Sequence, residues 1–495
     1  MAHIFLSFSP TKGPRPCPNR LPASSSVFDS PLPSSARARG DPFPLVLASA
    51  GEASSRHTGE AIAQPDACHV LDGMSEGSGA ARSKRQAAAS GSDRLGALPD
   101  GLLQDILSFL PSPAVVRTCV LAHRWRDLWK GVPALRITRD VARRYWGPTA
   151  LNGFVNHLLF LRERSPLRVA EFNTKDGGDF DEAVRYLELW VRYSLSCQVA
   201  KLCVACDDEL ERWLLPKGLI TSEHLTTLEL ILVMSEHDLD FSSCVSLQDL
   251  KMESSSIYCN RIASPSLKRL RISECRFLGD VRTQISAPNL ISLLLDSCTQ
   301  RTPLLESMPV LVEAVVSLQN CSDFCRNGYE VGDCGDESCW GCQDSNYGKN
   351  TCVLLQGLSS CTNLELISAT APTKPTSSFI FRKDLTQCPV FSKLKTLLLD
   401  DWCITTNHGT LICFLQHSPV LEKLILHFSK THGNLVEMGA SYDLRKQPLA
   451  LKDLSVEVQF DEGDERVLKV LDVLCSYGLP PEKIKIQYPL ELIGI

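Results

Sequence analysis

The hydrophobic positions between residues 225 and 316 repeat in the order apolar-x-x-apolar-x-apolar. Five such triplets are in register, with steps of 22, 20, 23 and 21 residues between the first positions, which are Leu225, Leu247, Leu267, Leu290 and Leu311. A fixed period of this length is typical of a solenoid in which every repeat adds one short strand to a curved parallel sheet. The apolar positions therefore predict a repeat array as the main body of the chain.

Weaker triplets extend the series in both directions. Upstream they are Leu167/Ala170/Phe172 and Val199/Leu202/Val204, and downstream they are Leu364/Ile367/Ala369, Leu394/Leu397/Leu399, Leu421/Leu424/Leu426 and Leu451/Leu454/Val456. The downstream steps of 30, 27 and 30 residues indicate longer connecting segments. The expected fold is α/β, a curved parallel sheet with helices or turns on the convex side.

Polar side chains alternate with the apolar ones along each predicted strand. Successive side chains of a strand point to opposite faces of the sheet, so the polar positions are expected on the concave face. Charges of both signs suit a protein partner better than a phosphate backbone. The candidate substrate-binding residues are Glu229, Lys251, Arg269, Arg271, Asp296 and Lys423.

A different, helical period begins at Leu98. Apolar residues recur at steps of three and four up to Pro111. Ser112 is expected to cap a short helix that starts at Pro113, and a third helix is expected from Ala122 to Lys130. Three helices in under forty residues make a small core, so the apolar surface favours docking to a partner. An N-terminal helical cap on the solenoid is the alternative reading of this pattern.

The runs Leu98-Pro99-Asp100, Asp105 to Pro111, Arg117 to Leu121 and Arg124 to Trp129 resemble the F-box motif of plant F-box/leucine-rich-repeat proteins. The resemblance implies that this segment binds a Skp-type adaptor and, through it, a cullin-RING ligase. His123 departs from the family, in which a small polar residue is more frequent. The residues that would form or support the adaptor contact are Leu98, Pro99, Ile106, Leu107, Leu110, Val120, Leu121, Trp125, Leu128 and Trp129. Trp125, Leu107 and Leu121 are the predicted anchors.

The function implied by the resemblance is that of a non-catalytic substrate-recognition subunit of an SCF-type (Skp-cullin-F-box) ubiquitin ligase, with the repeats binding an unknown target protein. The alternative is a leucine-rich repeat interaction scaffold that uses its F-box for assembly without ubiquitination. No phosphate-binding loop or His-Glu-x-x-His motif indicates an enzyme. The expected location is the cytoplasm, the nucleus or both.

Composition divides the chain into four predicted regions. Residues 1–92 are rich in Ser, Pro, Ala and Gly and are expected to be a disordered arm. The F-box is predicted at 93–138, the solenoid at 139–445 with a Cys-rich insertion at 320–352, and a closing segment that resembles the FBD region of plant relatives at 446–495. The net charge of −6 argues against nucleic acid as a partner, and no apolar stretch is long enough for a membrane span.

The 21 cysteines are expected to be mostly reduced and buried. Cys275 and Cys298 fall at the small-residue position of the repeat, which gives them a packing role. No metal or other cofactor is expected. The insertion nevertheless leaves open a zinc site formed by Cys325, Cys334, Cys339 and Cys342, of which the last two have ligand spacing.

Overall fold

The computed structural model describes residues 95–138, 148–173, 180–206, 213–321, 352–368, 384–385, 387–400, 408–428, 453–460 and 465–487. The predicted disordered arm lies outside the described residues. So does nearly all of the Cys-rich insertion, including Cys325, Cys334, Cys339 and Cys342. The closing segment predicted at 446–495 is described in part.

The F-box segment, residues 95–133, begins with two α-helices, Asp100–Leu107 and Ser112–Arg117, which follow Pro99 and Pro111. The third helix predicted from Ala122 to Lys130 is divided into two short 3-10 helices, His123–Arg126 and Leu128–Gly131. A further 3-10 helix spans Thr118–Val120. Ser112 lies inside its helix rather than capping it, and its Oγ accepts a hydrogen bond of 2.9 Å from the backbone N–H of Arg136.

A parallel sheet of 17 strands forms the body of the described chain. Its principal strands, one per repeat, are Ala134–Ile137, Val169–Asn173, Lys201–Ala205, Thr227–Ile231, Asp249–Glu253, Arg269–Ser273, Ser292–Gln300, Glu313–Cys321, Asn363–Ser368, Thr396–Asp400, Lys423–Phe428, Ser455–Phe460 and Ile484–Gln487. Each pairs in parallel with the next along the chain. The predicted fold, a helical N-terminal segment followed by a parallel repeat sheet, is therefore confirmed.

The predicted triplets mark the repeats correctly up to Val316. Their middle residues are at most 1% exposed, as at Leu228, Leu250, Leu270 and Leu293. Two downstream triplets were placed in the wrong register. Ala314 is opposite Leu364 and Leu424 is opposite Val456, so the repeats read Cys361/Leu364/Leu366 and Asp453/Val456/Val458. Long connections remove the fixed period that sets the register elsewhere, and several apolar residues in a row then fit more than one frame.

The middle repeats turn at residues with positive φ. Leu232, Ser254, Glu274 and Ser297 have φ between 48° and 57°. They follow the spacing of the repeat. Leu232, Ser254 and Glu274 come directly after their strands, and Ser297 lies inside Ser292–Gln300, where the pairing with the next strand shifts register. Short strands follow these turns in the same sheet, namely Val233–Ser235, Ser256–Ile257 and Arg276–Phe277, while Trp213–Leu214 joins the first of them. The backbone bonds therefore continue past each turn and keep successive repeats in line.

The other side of the repeats differs along the chain. In the middle repeats it is a second, four-stranded parallel sheet made of Leu239–Asp240, Arg261–Ala263, Gln284–Ser286 and Leu304–Leu305. Helices take this role earlier and later: Pro148–Leu161, Phe180–Ser196, Leu355–Leu358, Gly409–His417 and Glu465–Ser476, with a 3-10 turn at Pro481–Lys483. The shorter repeats leave room only for extended connections, and the longer ones for helices.

Candidate functional site

The F-box segment has a small core of its own. It consists of Leu103, Leu107, Val115, Leu128, Val132 and Ala134. Leu107 and Leu128, both predicted in the adaptor contact, are only 3% and 4% exposed. Leu107 is therefore a core residue of this segment, and its role as an adaptor anchor stays a prediction.

Other apolar side chains of the same segment face solvent. Of the predicted residues, Ile106 is 48% exposed, Leu110 39%, Val120 82% and Leu121 67%. Leu102 (50%) and Phe109 (80%) are also exposed, and the sequence did not single them out. The signal for Leu102 was its position one helical turn before Ile106. We call Leu102, Ile106, Phe109, Leu110, Val120 and Leu121 the F-box surface.

Arg124 links the 3-10 helix His123–Arg126 to the start of the first α-helix. Its guanidinium donates to the Asp100 carboxylate at 2.6 Å and 2.8 Å and to the carbonyl oxygens of Gly96 and Leu98. The segment that follows Leu121 is thus fixed to the start of the first helix. Leu98, Trp125 and Trp129 are half-buried beside the core, and Pro99 is exposed at the helix start.

The F-box segment is joined to the sheet by more than its chain connection. Arg136 donates to the Ser108 carbonyl at 3.0 Å and to the Glu171 carboxylate at 2.7 Å, and Arg168 donates to the Asp105 carboxylate at 2.6 Å. The residues 134–137, placed within the F-box by the sequence, form the first strand of the sheet. The half-buried Trp129 packs against both cores. These contacts hold the F-box surface in a fixed place relative to the repeats.

The solvent face of the sheet carries the six predicted substrate-binding residues. Arg271 and Asp296 follow Lys251 and Glu253 along neighbouring strands of this face. Most of the charges pair with a neighbour: Lys201–Glu229 at 2.6 Å, Lys251–Glu253 at 2.5 Å, Lys423–Glu457 at 2.9 Å, and Arg269 with Asp249. For Arg271, an exposed side chain, the described residues include no ion pair. A charge that already forms an ion pair within the chain is less available to a partner than the charge of Arg271.

The central row of the same face changes character along the repeats. From Arg136 to Arg271 it is mostly charged, passing through Glu171, Cys203, Glu229 and Lys251. It then continues through four partly exposed apolar side chains, which the sequence analysis missed because it followed charge alone: Leu294, Val315, Leu398 and Ile425. Glu365 interrupts them. The central row of this face therefore has a charged half and an apolar half.

The cysteines in the described part of the chain are free thiols, and most are buried, as predicted. Cys275 and Cys298 are at most 1% exposed inside the turns, where Cys275 accepts from the Ser255 N–H at 3.4 Å and Cys298 donates to the Ile272 carbonyl at 3.5 Å. In these residues no helix has the length and apolar character required to cross a membrane.

A family model of the F-box domain matches residues 95–136. The chain is 30% identical over 271 residues to a putative FBD-associated F-box protein of Arabidopsis thaliana, covering 46% of this chain and 60% of that protein. It is 28% identical over 376 residues to the meiotic F-box protein MOF of Oryza sativa subsp. japonica, covering 69% and 72%. With an F-box/FBD/LRR-repeat protein of Arabidopsis thaliana it shares 26% over 404 residues, covering 76% and 82%.

The chain spans 60% of the first of these relatives and more of the other two. All three names contain the F-box, and the name of the third also contains leucine-rich repeats. The resemblance stated from residues Leu98 to Trp129 is thereby confirmed. Residues 95–136 match the F-box domain, a parallel repeat sheet follows them, and the chain is similar to the F-box/FBD/LRR-repeat proteins of plants.

Proposed function

We propose that this chain is the substrate-recognition subunit of an SCF-type ubiquitin ligase. The F-box surface binds a Skp-type adaptor, which links the chain to a cullin-RING ligase, and the solvent face of the sheet holds a target protein. The chain forms no covalent bond with the target. It raises the effective concentration of target lysines near a ubiquitin-conjugating enzyme, as any bivalent linker does. The cytoplasm and nucleus are the proposed locations.

The observation that carries the adaptor step is the exposure of six apolar side chains on a segment of under forty residues. Val120 and Phe109 are at least 80% exposed. Exposed apolar groups concentrated in one small module are typical of a protein-binding surface. The match of the F-box family to the same residues supports a Skp-type adaptor as the partner.

The fixed junction between the F-box segment and the sheet supports the second step. Arg136 and Arg168 connect the two with charge-assisted hydrogen bonds of 2.6–3.0 Å. A receptor that presents a target at a defined distance from the ligase needs such a junction, because a loose one lowers the effective concentration. Arg271 and the apolar half of the central row are the parts of the sheet's face most available to the target.

The test is reconstitution. The full chain is assembled with adaptor, cullin and RING subunits, a candidate target is captured, and ubiquitin transfer to that target is followed with and without residues 95–133. We expect transfer to require these residues while the target remains bound without them. Capture of a target that is never ubiquitinated in an assembled ligase would favour the alternative, a scaffold that uses its F-box for assembly alone.

A matched pair of substitutions separates the two surfaces. Leu398→Lys, in the apolar half of the central row, should weaken target capture and leave adaptor binding unchanged. Val245→Lys is the control, since Val245 is an exposed apolar residue (64%) away from both surfaces. Equal capture by both variants would remove the apolar half from the proposed target site.

A further inference from the structure

Two cysteines and one histidine from separate parts of the later repeats lie together. One ligand atom from each of Cys388, Cys413 and His417 can be chosen so that all lie within 4.8 Å of one another. The Sγ of Cys413 is 3.7 Å from the Nδ1 of His417. In a tetrahedral zinc site, Zn–S bonds of about 2.3 Å and Zn–N bonds of about 2.0 Å place ligand atoms about 3.6–3.8 Å apart. The Cys413–His417 pair has nearly this separation. The Nδ1 of His417 also lies 2.8 Å from the carbonyl oxygen of Cys413. When Nδ1–H donates to that oxygen, Nε2 is the ring nitrogen that binds the metal.

The surrounding structure fixes the backbone of all three residues. Cys413 and His417 are four residues apart on the helix Gly409–His417, so they share one face of it. The backbone N–H of Phe391, three residues after Cys388, donates to the His417 carbonyl at 2.8 Å. The rings of Phe391 and Phe414 pack with centroids 5.8 Å apart. The loop and the helix are therefore held together independently of any ion.

We propose that Cys388, Cys413 and His417 bind a zinc ion that joins the loop before the strand Thr396–Asp400 to the helix Gly409–His417. Two thiols and one imidazole are a ligand set that zinc prefers. Each thiol releases its proton to solvent as its sulfur forms a bond to the metal, and His417 binds through a ring nitrogen in its neutral form. The site is distinct from the Cys-rich insertion considered from the sequence.

The electrostatics of the two thiols agree with this geometry. A hydrogen bond between Cys388 and Cys413 raises the pKa of Cys388 and lowers the pKa of Cys413. A bound cation favours the thiolate form of both residues.

Cys352 does not belong to the cluster. Among the described residues, the ligand atoms that all lie within 4.8 Å of one another come from Cys388, Cys413 and His417, and the Sγ of Cys352 accepts the backbone N–H of Gln356 at 3.2 Å. The neighbouring carboxylate of Asp384 is not available as a ligand, because it accepts the backbone N–H groups of Val353, Leu354 and Leu355 at 2.7–2.9 Å. A water molecule completes the tetrahedron.

The experiment is metal analysis of the full chain, purified under reducing conditions, exposed to zinc and freed of unbound ion. Cobalt is then substituted for zinc, since thiolate-to-cobalt absorption reports sulfur ligands directly. We expect one zinc per chain, lost in Cys413→Ser and His417→Gln. It should be retained in Cys298→Ser, a matched buried thiol, and in Cys342→Ser, which lies in the insertion.

Three results would overturn the proposal: no zinc or cobalt in the folded chain, loss of the metal in Cys342→Ser but not in Cys413→Ser, or a disulfide joining Cys388 to Cys413 in place of a metal. Circular dichroism of each variant shows whether it is folded. If Cys413→Ser lowers the yield, Cys388→Ser and His417→Gln decide the question, because both positions are half-buried and tolerate a polar substitute better.

Discussion

Asp384 gives the sharpest stability prediction, because one buried carboxylate accepts three backbone N–H groups. The side chain is 1% exposed and its oxygens lie 2.7–2.9 Å from the nitrogens of Val353, Leu354 and Leu355, at the start of the helix Leu355–Leu358. Asp384→Ala leaves three buried donors without this acceptor. Each such loss costs about 1–3 kcal/mol, and water entering the vacated space recovers part of it. We expect a total of about 3 kcal/mol or more.

The charge of Asp384 adds a dependence on pH. Burial raises the pKa of this carboxyl above its usual value, so the folded chain holds the proton more tightly than the unfolded chain. The stability that follows from protonation is complete below the unfolded pKa and is lost as pH rises through the raised pKa. Wild type should therefore gain stability relative to Asp384→Asn as pH falls from neutral.

Urea denaturation followed by circular dichroism measures the loss, and hydrogen exchange at residues 353–355 locates it. Exchange is needed because repeat arrays unfold in parts as well as globally. Asp472→Ala, at an exposed acid of the helix Glu465–Ser476, is the control and should change stability by less than about 0.5 kcal/mol. An Asp384→Ala variant as stable as this control, with protection at 353–355 intact, would refute the reasoning.

Three further outcomes are expected. Leu107→Ala should destabilise the F-box segment by about 2–5 kcal/mol in a thermal melt, since it opens a cavity in a core of six residues. Arg168→Ala should cost less than about 1 kcal/mol in the same melt, because its bond to Asp105 is largely exposed. Glu274→Gly should keep or raise the urea midpoint and Glu274→Val should lower it by about 1 kcal/mol, because φ is 53° at this position.

The repeat body could be predicted from sequence because its signal is redundant. Leu228, Leu250, Leu270 and Leu293 mark the same position of consecutive repeats, and each confirms the register of the next. Where the period lengthens, at Leu364 and Leu454, that redundancy is lost and the register was misread. The second sheet behind the middle repeats was missed for a related reason, since strands of two or three residues carry too little alternation to be recognised.

The exposure of individual F-box residues could not be predicted from the motif. The F-box motif correctly marks the segment, but a motif does not separate a residue that packs inside from one that faces a partner. Leu107 and Ile106 are adjacent and both apolar, yet Leu107 is 3% exposed and Ile106 is 48% exposed.

The cluster of Cys388, Cys413 and His417 could not be predicted from sequence, because Cys388 lies on a different element from the other two residues. Only Cys413 and His417, four residues apart on one helix, have a spacing typical of metal ligands. The boundaries of the closing segment at 446–495 stay a prediction.

Adaptor binding by the F-box surface is the central claim, and calorimetry on matched variants tests it most directly. Val120→Asp and Leu121→Asp place a charge on side chains that are 82% and 67% exposed, so neither should affect folding by circular dichroism. Val245→Asp, 64% exposed on the solenoid, is the control. We predict that the two F-box variants lose about 2 kcal/mol or more of adaptor affinity, roughly thirty-fold, while the control binds as wild type does. Folded Val120→Asp and Leu121→Asp variants that bind the adaptor as tightly as Val245→Asp would contradict the account.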